Sequence, residues 1–320
     1  GKSTILDEIM YLCKDYIPTI FAITETNESN DFFNGKIPSR CVKNGLPVKW
    51  IENLLKRQKL ASAAYKKAND PIELKILFNL IAGDDAKMME LSIIRKACDH
   101  IIFIESSDLN FAMKKTQKKQ IEKSRDETLI KLYKISIRAN KFRLENDESL
   151  SKKQRGVLEF MDTNPAVMLI FDDCASKFKK WQKQTTALSE ILYNGRWHNF
   201  TTIITTQDDK EIDSQLRKNS KISIFTTAVS AISNFERKSN HFPKHEILKS
   251  RKCIKAVYPS NEDYEENTNY QKLVYIHGLS NPFRYTIADL YDDFKMGSEH
   301  LWTLSNRMKS KEEKTQADDF

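Results

Sequence analysis

Apolar residues Ile5, Leu6, Ile9, Met10 and Leu12 recur at three- and four-residue spacing, so the opening Gly1-Lys2-Ser3-Thr4 runs straight into an amphipathic helix that starts at the glycine. Pro18 to Ile23 is a short apolar run closed by polar Thr24, Glu25, Thr26 and Asn27, the pattern of a buried strand. From about Leu46 to Leu144 the periodicity changes. Pro47 and Pro71 stand near helix starts, and residues such as Leu129, Leu132, Tyr133 and Ile137 keep helical spacing within long charged stretches. This block predicts a helical insertion of several elements.

Residues 145–165 are polar and turn-rich, and behind them Ala166 to Phe171 forms a continuous apolar run closed by Asp172-Asp173. A strand apolar on both faces belongs to a covered parallel sheet. The pattern then predicts a helix over 178–193, a strand over 200–206, a short helix over 212–218 and a strand over 222–226. Helices at 229–237 and 244–249 and strands at 272–277 and 283–287 follow. Strands alternating with helices indicate an α/β, doubly wound, mostly parallel sheet. The expected organisation is the start of the core over 1–45, the helical insertion over 46–155, the remainder of the core over 156–292, and a charged C-terminal tail over 293–320. Residues 309–320 carry few apolar side chains and are expected to be disordered.

Composition narrows the function classes. An apolar fraction of 40% in 320 residues supplies a sizeable core. No run approaches the ~18 uninterrupted apolar residues of a membrane span, and the N-terminal residues lack the pattern of a signal peptide. Fifty-two basic residues against 44 acidic ones give a net charge of +8, a balance that favours a polyanionic partner. Five cysteines, Cys13, Cys41, Cys98, Cys174 and Cys253, stand far apart with no CxxC pair, which argues against a disulfide framework or a zinc ribbon and fits a reducing compartment. His241 and His245 form the one close histidine pair, without acidic or cysteine partners at ligand spacing.

The candidate chemistry lies at two points. Gly1-Lys2-Ser3-Thr4 matches the last part of a P-loop, GxxxxGK[ST], whose backbone N–H groups and helix N-terminus cradle phosphates. Lys2 would reach the β and γ phosphates of ATP, and Ser3 would ligate Mg2+. The numbering begins inside the motif, so the upstream glycines and the strand that feeds the loop lie outside the sequence. Val167 to Asp173 has the pattern of a Walker B strand, which lifts two carboxylates to the end where open α/β sheets bind ligands. Asp172 would hold the metal and Asp173 would orient the attacking water. Each element also has a plainer reading: GKST occurs in surface turns, and an aspartate after a strand often caps the next helix. Finding both in this order favours the nucleotide site.

Further along, Asn194-Gly195-Arg196-Trp197-His198-Asn199 leads into a strand that ends in Thr205-Thr206-Gln207. Gln207 is placed to sense the γ phosphate or to cap the following turn. Arg196 and Arg217 are both candidates for the positive charge that phosphoryl transfer uses, in cis or from a neighbouring subunit. Lysines cluster around Phe178 and Trp181 (Lys177, Lys179, Lys180, Lys183) and within the helical block (Lys114, Lys115, Lys118, Lys119, Lys123), as solvated faces or as contacts to a phosphate backbone.

The order GKST, IFDD, NGRWHNFTTIITTQ and a leucine-arginine-x-asparagine element resembles the FtsK/HerA superfamily, in particular the genome-packaging ATPases of poxviruses and other nucleocytoplasmic large DNA viruses. The shared motifs cover about residues 1–40 and 165–245. The pattern departs by Trp197, which interrupts the asparagine-glycine-arginine-histidine segment, and by an aspartate rather than a glutamate at position 173. The resemblance implies an ASCE-type P-loop NTPase with a large helical insertion, ATP and Mg2+ as ligands, and a homo-oligomeric ring that pumps double-stranded DNA into a capsid. It further implies viral capsid proteins as partners, no membrane span, and a location in the host cytoplasm, at the viral factory, or in the virion. The competing expectation is a non-catalytic nucleic-acid or capsid-binding protein that retains the P-loop fold. A glycine-rich turn upstream of Gly1 in the complete gene separates the two.

Overall fold

The computed structural model describes residues 1–258 and 270–318. The chain forms two compact units, Gly1–Lys59 with Pro165–Phe320, and Leu60–Asn164. In chain order the first unit opens with α1 (Lys2–Cys13), β1 (Thr19–Thr24), α2 (Asn27–Phe33) and β2 (Val42–Asn44). Helix α3 (Val48–Ala68) contains the division between the units. The second unit holds α4 (Pro71–Ile81), α5 (Asp84–Ser106), α6 (Phe111–Ala139), α7 (Lys141–Glu145) and α8 (Lys152–Phe160). The first unit resumes with β3 (Val167–Phe171), α9 (Phe178–Gln184), α10 (Thr186–Asn194), β4 (Phe200–Ile204), α11 (Ser214–Asn219), β5 (Ile222–Phe225), α12 (Ala228–Glu236) and α13 (Lys244–Val257). It ends with β6 (Gln271–Ile276), β7 (Phe283–Ile287) and α14 (Glu299–Asp318).

The first unit is α/β. Its main sheet has four parallel strands in the order β2-β1-β3-β4. All five residues of β3 are buried, and they divide by parity. Val167, Leu169 and Phe171 enter a cluster with Ile51, Leu55, Phe178, Trp181, Leu188 and Ile191, whereas Met168 and Ile170 enter one with Leu6, Met10, Phe33 and Ile37. Strand β1 divides the same way, with Phe21 and Ile23 on the first side and Ile20 and Ala22 on the second. Helices therefore cover both faces, which is why β3 reads as an unbroken apolar run.

A second sheet, β5-β6-β7, is antiparallel throughout. This corrects the expectation of one mostly parallel sheet: apolar runs mark strands without encoding their direction. The predicted single helix over 178–193 is two helices, broken at Thr185, whose hydroxyl accepts from the Ala187 N–H and donates to Glu52 Oε1 at 2.9 Å. The predicted insertion boundaries, 46 and 155, fall at 60 and 164, because α3 and the segment after α8 continue past the composition change. The predicted tail also differs. Phe294 and Met296 are buried in the α1-side core, and α14 carries the backbone helically to Asp318; residues 319–320 lie outside the described residues.

Helix α1 is anchored by a buried charge. Asp7, fully buried, pairs with Lys36 and accepts from the Tyr291 N–H at 2.8 Å, while Tyr11 stacks on Tyr291 with centroids 3.9 Å apart. The second unit is helical, with its own core of Leu74, Leu77, Phe78, Tyr133, Ile137, Leu144 and Val157. Its helices start as the sequence dictates: Asp70 caps α4 ahead of Pro71, Asn110 caps α6, and Ser151 with Gln154 forms a capping box on α8.

Candidate functional site

The strand register assembles the site. Phe171 pairs with Ile23 on one side and with Ile204 on the other. One residue further on, the Asp172 N–H donates to Ile23 O at 2.9 Å, and the Thr205 N–H donates to Phe171 O at 2.9 Å. The C-terminal tips of β1, β3 and β4 thus present Glu25, Asp172, Asp173 and Thr205 along one edge. Asp173 has left-handed backbone, φ 49°, a conformation that costs a non-glycine residue energy and recurs where function requires it.

Thr205 ties the tip together. Its hydroxyl donates to Asp172 Oδ1 at 2.5 Å and accepts from the Asp173 N–H at 3.1 Å. Cys174 is fully buried directly below, with its Sγ 3.7 Å from Ile23 O. Burial pushes its thiol well above the ordinary range, and the Glu25, Asp172 and Asp173 carboxylates push it further. The cysteine is an inert packing residue, and three carboxylates converge on its position.

The other half of the site comes from α1. Its N-cap is Gly1, and its first turn carries no acidic residue, which favours an anion at this helix end. Ser3 is exposed and Thr4 is buried. Lys2 reaches across 171 positions of sequence to place Nζ 2.5 Å from Asp173 Oδ1. Both side chains keep about 30% of their surface exposed (30% and 29%), so solvent screens the pair and an incoming anion can compete for the lysine.

Lys2, Asp172 and Asp173, singled out in the sequence, are therefore brought together, and Gly1, Ser3 and Thr4 lie in the same first turn. Gln207 is exposed in the bend past β4, on the carboxylate side of the sheet. The two arginines make other contacts. Arg196 is exposed in the 3-10 turn Gly195–His198 at the start of β4, the opposite end of the sheet, with Cζ 5.6 Å from the centre of the Trp197 ring. That turn needs its glycine, since a Cβ at Gly195 would stand 3.1 Å from Phe200 Cβ. Arg217, in α11, donates to Asn240 Oδ1 at 2.9 Å, to the Ile212 carbonyl and to Ser239 Oγ at 3.4 Å. Sequence reasoning gave Thr205 no role, because a threonine at a strand end carries no signal until the β3–β4 register aims its hydroxyl.

No protein-family model matches the chain, and no solved structure matches it. The chain is similar to proteins named "Uncharacterized protein B354L" of African swine fever virus, at 23% identity over 330 residues, covering 98% of this chain and 86% of the relative. A shorter stretch of 73 residues is 36% identical to "Uncharacterized protein L437" of Acanthamoeba polyphaga mimivirus, covering 23% of this chain and 24% of that protein. These relatives are viral proteins. Among the described residues no helix is long and apolar enough to cross a membrane.

Among the described residues no group of three or more His, Cys, Asp or Glu side chains is placed to hold a metal by itself. The local donors are a hydroxyl at Ser3 and a carboxylate at Asp172 that Thr205 orients. Few protein oxygens completed by water and substrate phosphate suit Mg2+ better than a dedicated cage does.

Proposed function

We propose that the chain is the catalytic part of a P-loop ATPase that moves double-stranded DNA, a motor subunit of viral genome packaging working as a homo-oligomeric ring beside capsid proteins. The observation that carries this reading is the meeting of Lys2, at the start of α1, with the Asp172-Asp173 tip of β3. A lysine at a helix start, facing paired carboxylates at the end of a buried parallel strand, is the arrangement that phosphate binding and hydrolysis require.

In this mechanism the first N–H groups of α1 and Lys2 bind the β and γ phosphates. Lys2 exchanges the Asp173 carboxylate for a phosphate oxygen, which frees Asp173 to orient water in line with the γ-phosphorus. Ser3 and Asp172 would hold Mg2+, which supplies charge neutralisation between the phosphates. Thr205 fixes the Asp172 rotamer and the Asp173 backbone, and Gln207 stands where it can report the γ phosphate to the sensor strand. Arg217, in cis or in trans, or Arg196 from a neighbouring subunit would supply positive charge to the phosphates.

The DNA part of the reading draws support from α9. Phe178 and Trp181 anchor the segment in the core, while Lys177, Lys179, Lys180 and Lys183 are exposed and, among the described residues, form no ion pair. Unneutralised lysines on one short segment suit a phosphate backbone read without regard to sequence. The lysines of α6 contribute less: Lys114 and Lys118 are engaged with Glu105, and Lys123 with Glu127.

The decisive experiment is magnesium-dependent ATP hydrolysis by the full-length protein. Lys2→Ala is expected to abolish nucleotide binding and turnover together, and Asp173→Asn to retain binding with turnover reduced. Hydrolysis unchanged in both variants removes the site.

A further inference from the structure

We infer that Glu25, at the tip of β1, is the proton acceptor of the hydrolysis, with Asp173 positioning the water beside it; this rests on the nucleotide site proposed above. Strand β1 pairs with β3 up to Ile23 beside Phe171, so Glu25 and Asp173 each follow two residues past that pair, on adjacent strand tips. Glu25 thus stands on the strand tip adjacent to that of Asp172, although 147 residues separate the two in sequence.

The two candidate acceptors differ in how they are held. Asp173 is committed through its backbone, which is left-handed with its N–H bound to Thr205, and its carboxylate pairs with Lys2 until phosphate takes the lysine. Its short side chain also gives it little reach once that backbone is fixed. Glu25 is partly exposed and, among the described residues, takes no hydrogen bond and no ion pair. It is one methylene longer and sits on a braced strand end. The Thr24 carbonyl accepts from the Gly45 N–H at 2.8 Å, and the Thr24 hydroxyl donates to Asn30 Oδ1 at 2.5 Å.

Gly45 lies beside that carboxylate. It has φ +70°, where a residue with a side chain would be strained, and a Cβ built on it would make ordinary contact with Glu25 Oε1 at 3.8 Å. A rigid strand tip and an uncommitted carboxylate are what a proton acceptor at this end of the sheet requires.

The step balances with ATP and water alone. The water oxygen forms a bond to the γ-phosphorus as the bond to the β–γ bridging oxygen breaks, and that electron pair leaves on ADP. A water proton passes to Glu25, which returns it to solvent after phosphate departs. Asp173 accepts the second hydrogen bond of the same water and sets its direction.

The test compares Glu25→Gln, Glu25→Asp and Asp173→Asn in the full-length protein, reading kcat for magnesium-ATP and, separately, the affinity for a fluorescent ATP analogue. Glu25→Gln is expected to lower kcat about 10²–10³-fold, with analogue affinity within twofold of the parent. Glu25→Asp should recover part of that loss, and Asp173→Asn should fall less than Glu25→Gln. If Glu25→Gln turns over within twofold of the parent while Lys2→Ala is dead, the nucleotide site stands and Glu25 is not the acceptor. If the parent neither binds the analogue nor hydrolyses ATP, the nucleotide site itself fails and Glu25 falls with it.

Discussion

Thr205 shows how much one hydroxyl can hold. Through two hydrogen bonds it fixes the carboxylate of Asp172 and the strained backbone of Asp173. Replacing it by valine keeps the shape and removes both bonds, each of a kind that contributes about 1 kcal/mol or more when an ionised group takes part. Thr205→Val is therefore expected to lower kcat about tenfold, with Thr205→Ser close to the parent, as steady-state hydrolysis would show. The paired aspartates were legible in the sequence because an apolar run ending in two carboxylates is visible in one dimension. Thr205 and Glu25 were not. Their place at the site depends on which strands lie side by side and in what register, and neither strand's own residues encode that.

At the scale of elements, the strands were legible wherever both faces are covered. Met168 and Ile170 on one side and Leu169 and Phe171 on the other make a run that nothing but a sandwiched strand explains. The break at Thr185 was hidden because the apolar spacing of α10 continues that of α9, and the capping hydroxyl finds its partner in α3. Strand β2, with three residues, is too short for any period. Helix α1 depends on an interaction no pattern announces: Asp7 reads as the polar face of an amphipathic helix, yet it is fully buried on Lys36 and the Tyr291 N–H. Asp7→Ala strands a lysine and an amide together. It is expected to cost about 3 kcal/mol, seen as a lower urea midpoint with an unchanged slope.

At the scale of the molecule, the net charge of +8 becomes informative only once its location is known. Two of the clustered lysines in α6, Lys118 and Lys123, pair with acids, whereas those around α9 form no ion pair among the described residues. The triple variant Lys179→Gln, Lys180→Gln, Lys183→Gln should weaken binding to duplexes of any sequence. It should also reduce the slope of log affinity against log salt by about two to three, since each neutralised phosphate contributes about 0.9. Titrations at several salt concentrations give that slope directly, and a slope identical to the parent's would take α9 out of the DNA interface. The net charge pointed to a polyanion, but distinguishing the lysine faces required the ion pairs.

The order of the main sheet leaves β4 at its border, and the second sheet likewise ends at β5. The border segment Phe-Thr-Thr-Ile-Ile-Thr-Thr, residues 200–206, is uncharged, free of proline and rich in β-branched side chains. Such a ribbon is sticky: its outward N–H and C=O groups can template another extended chain, native or foreign. Colloidal behaviour is thereby tied to whatever extended segment lies along β4.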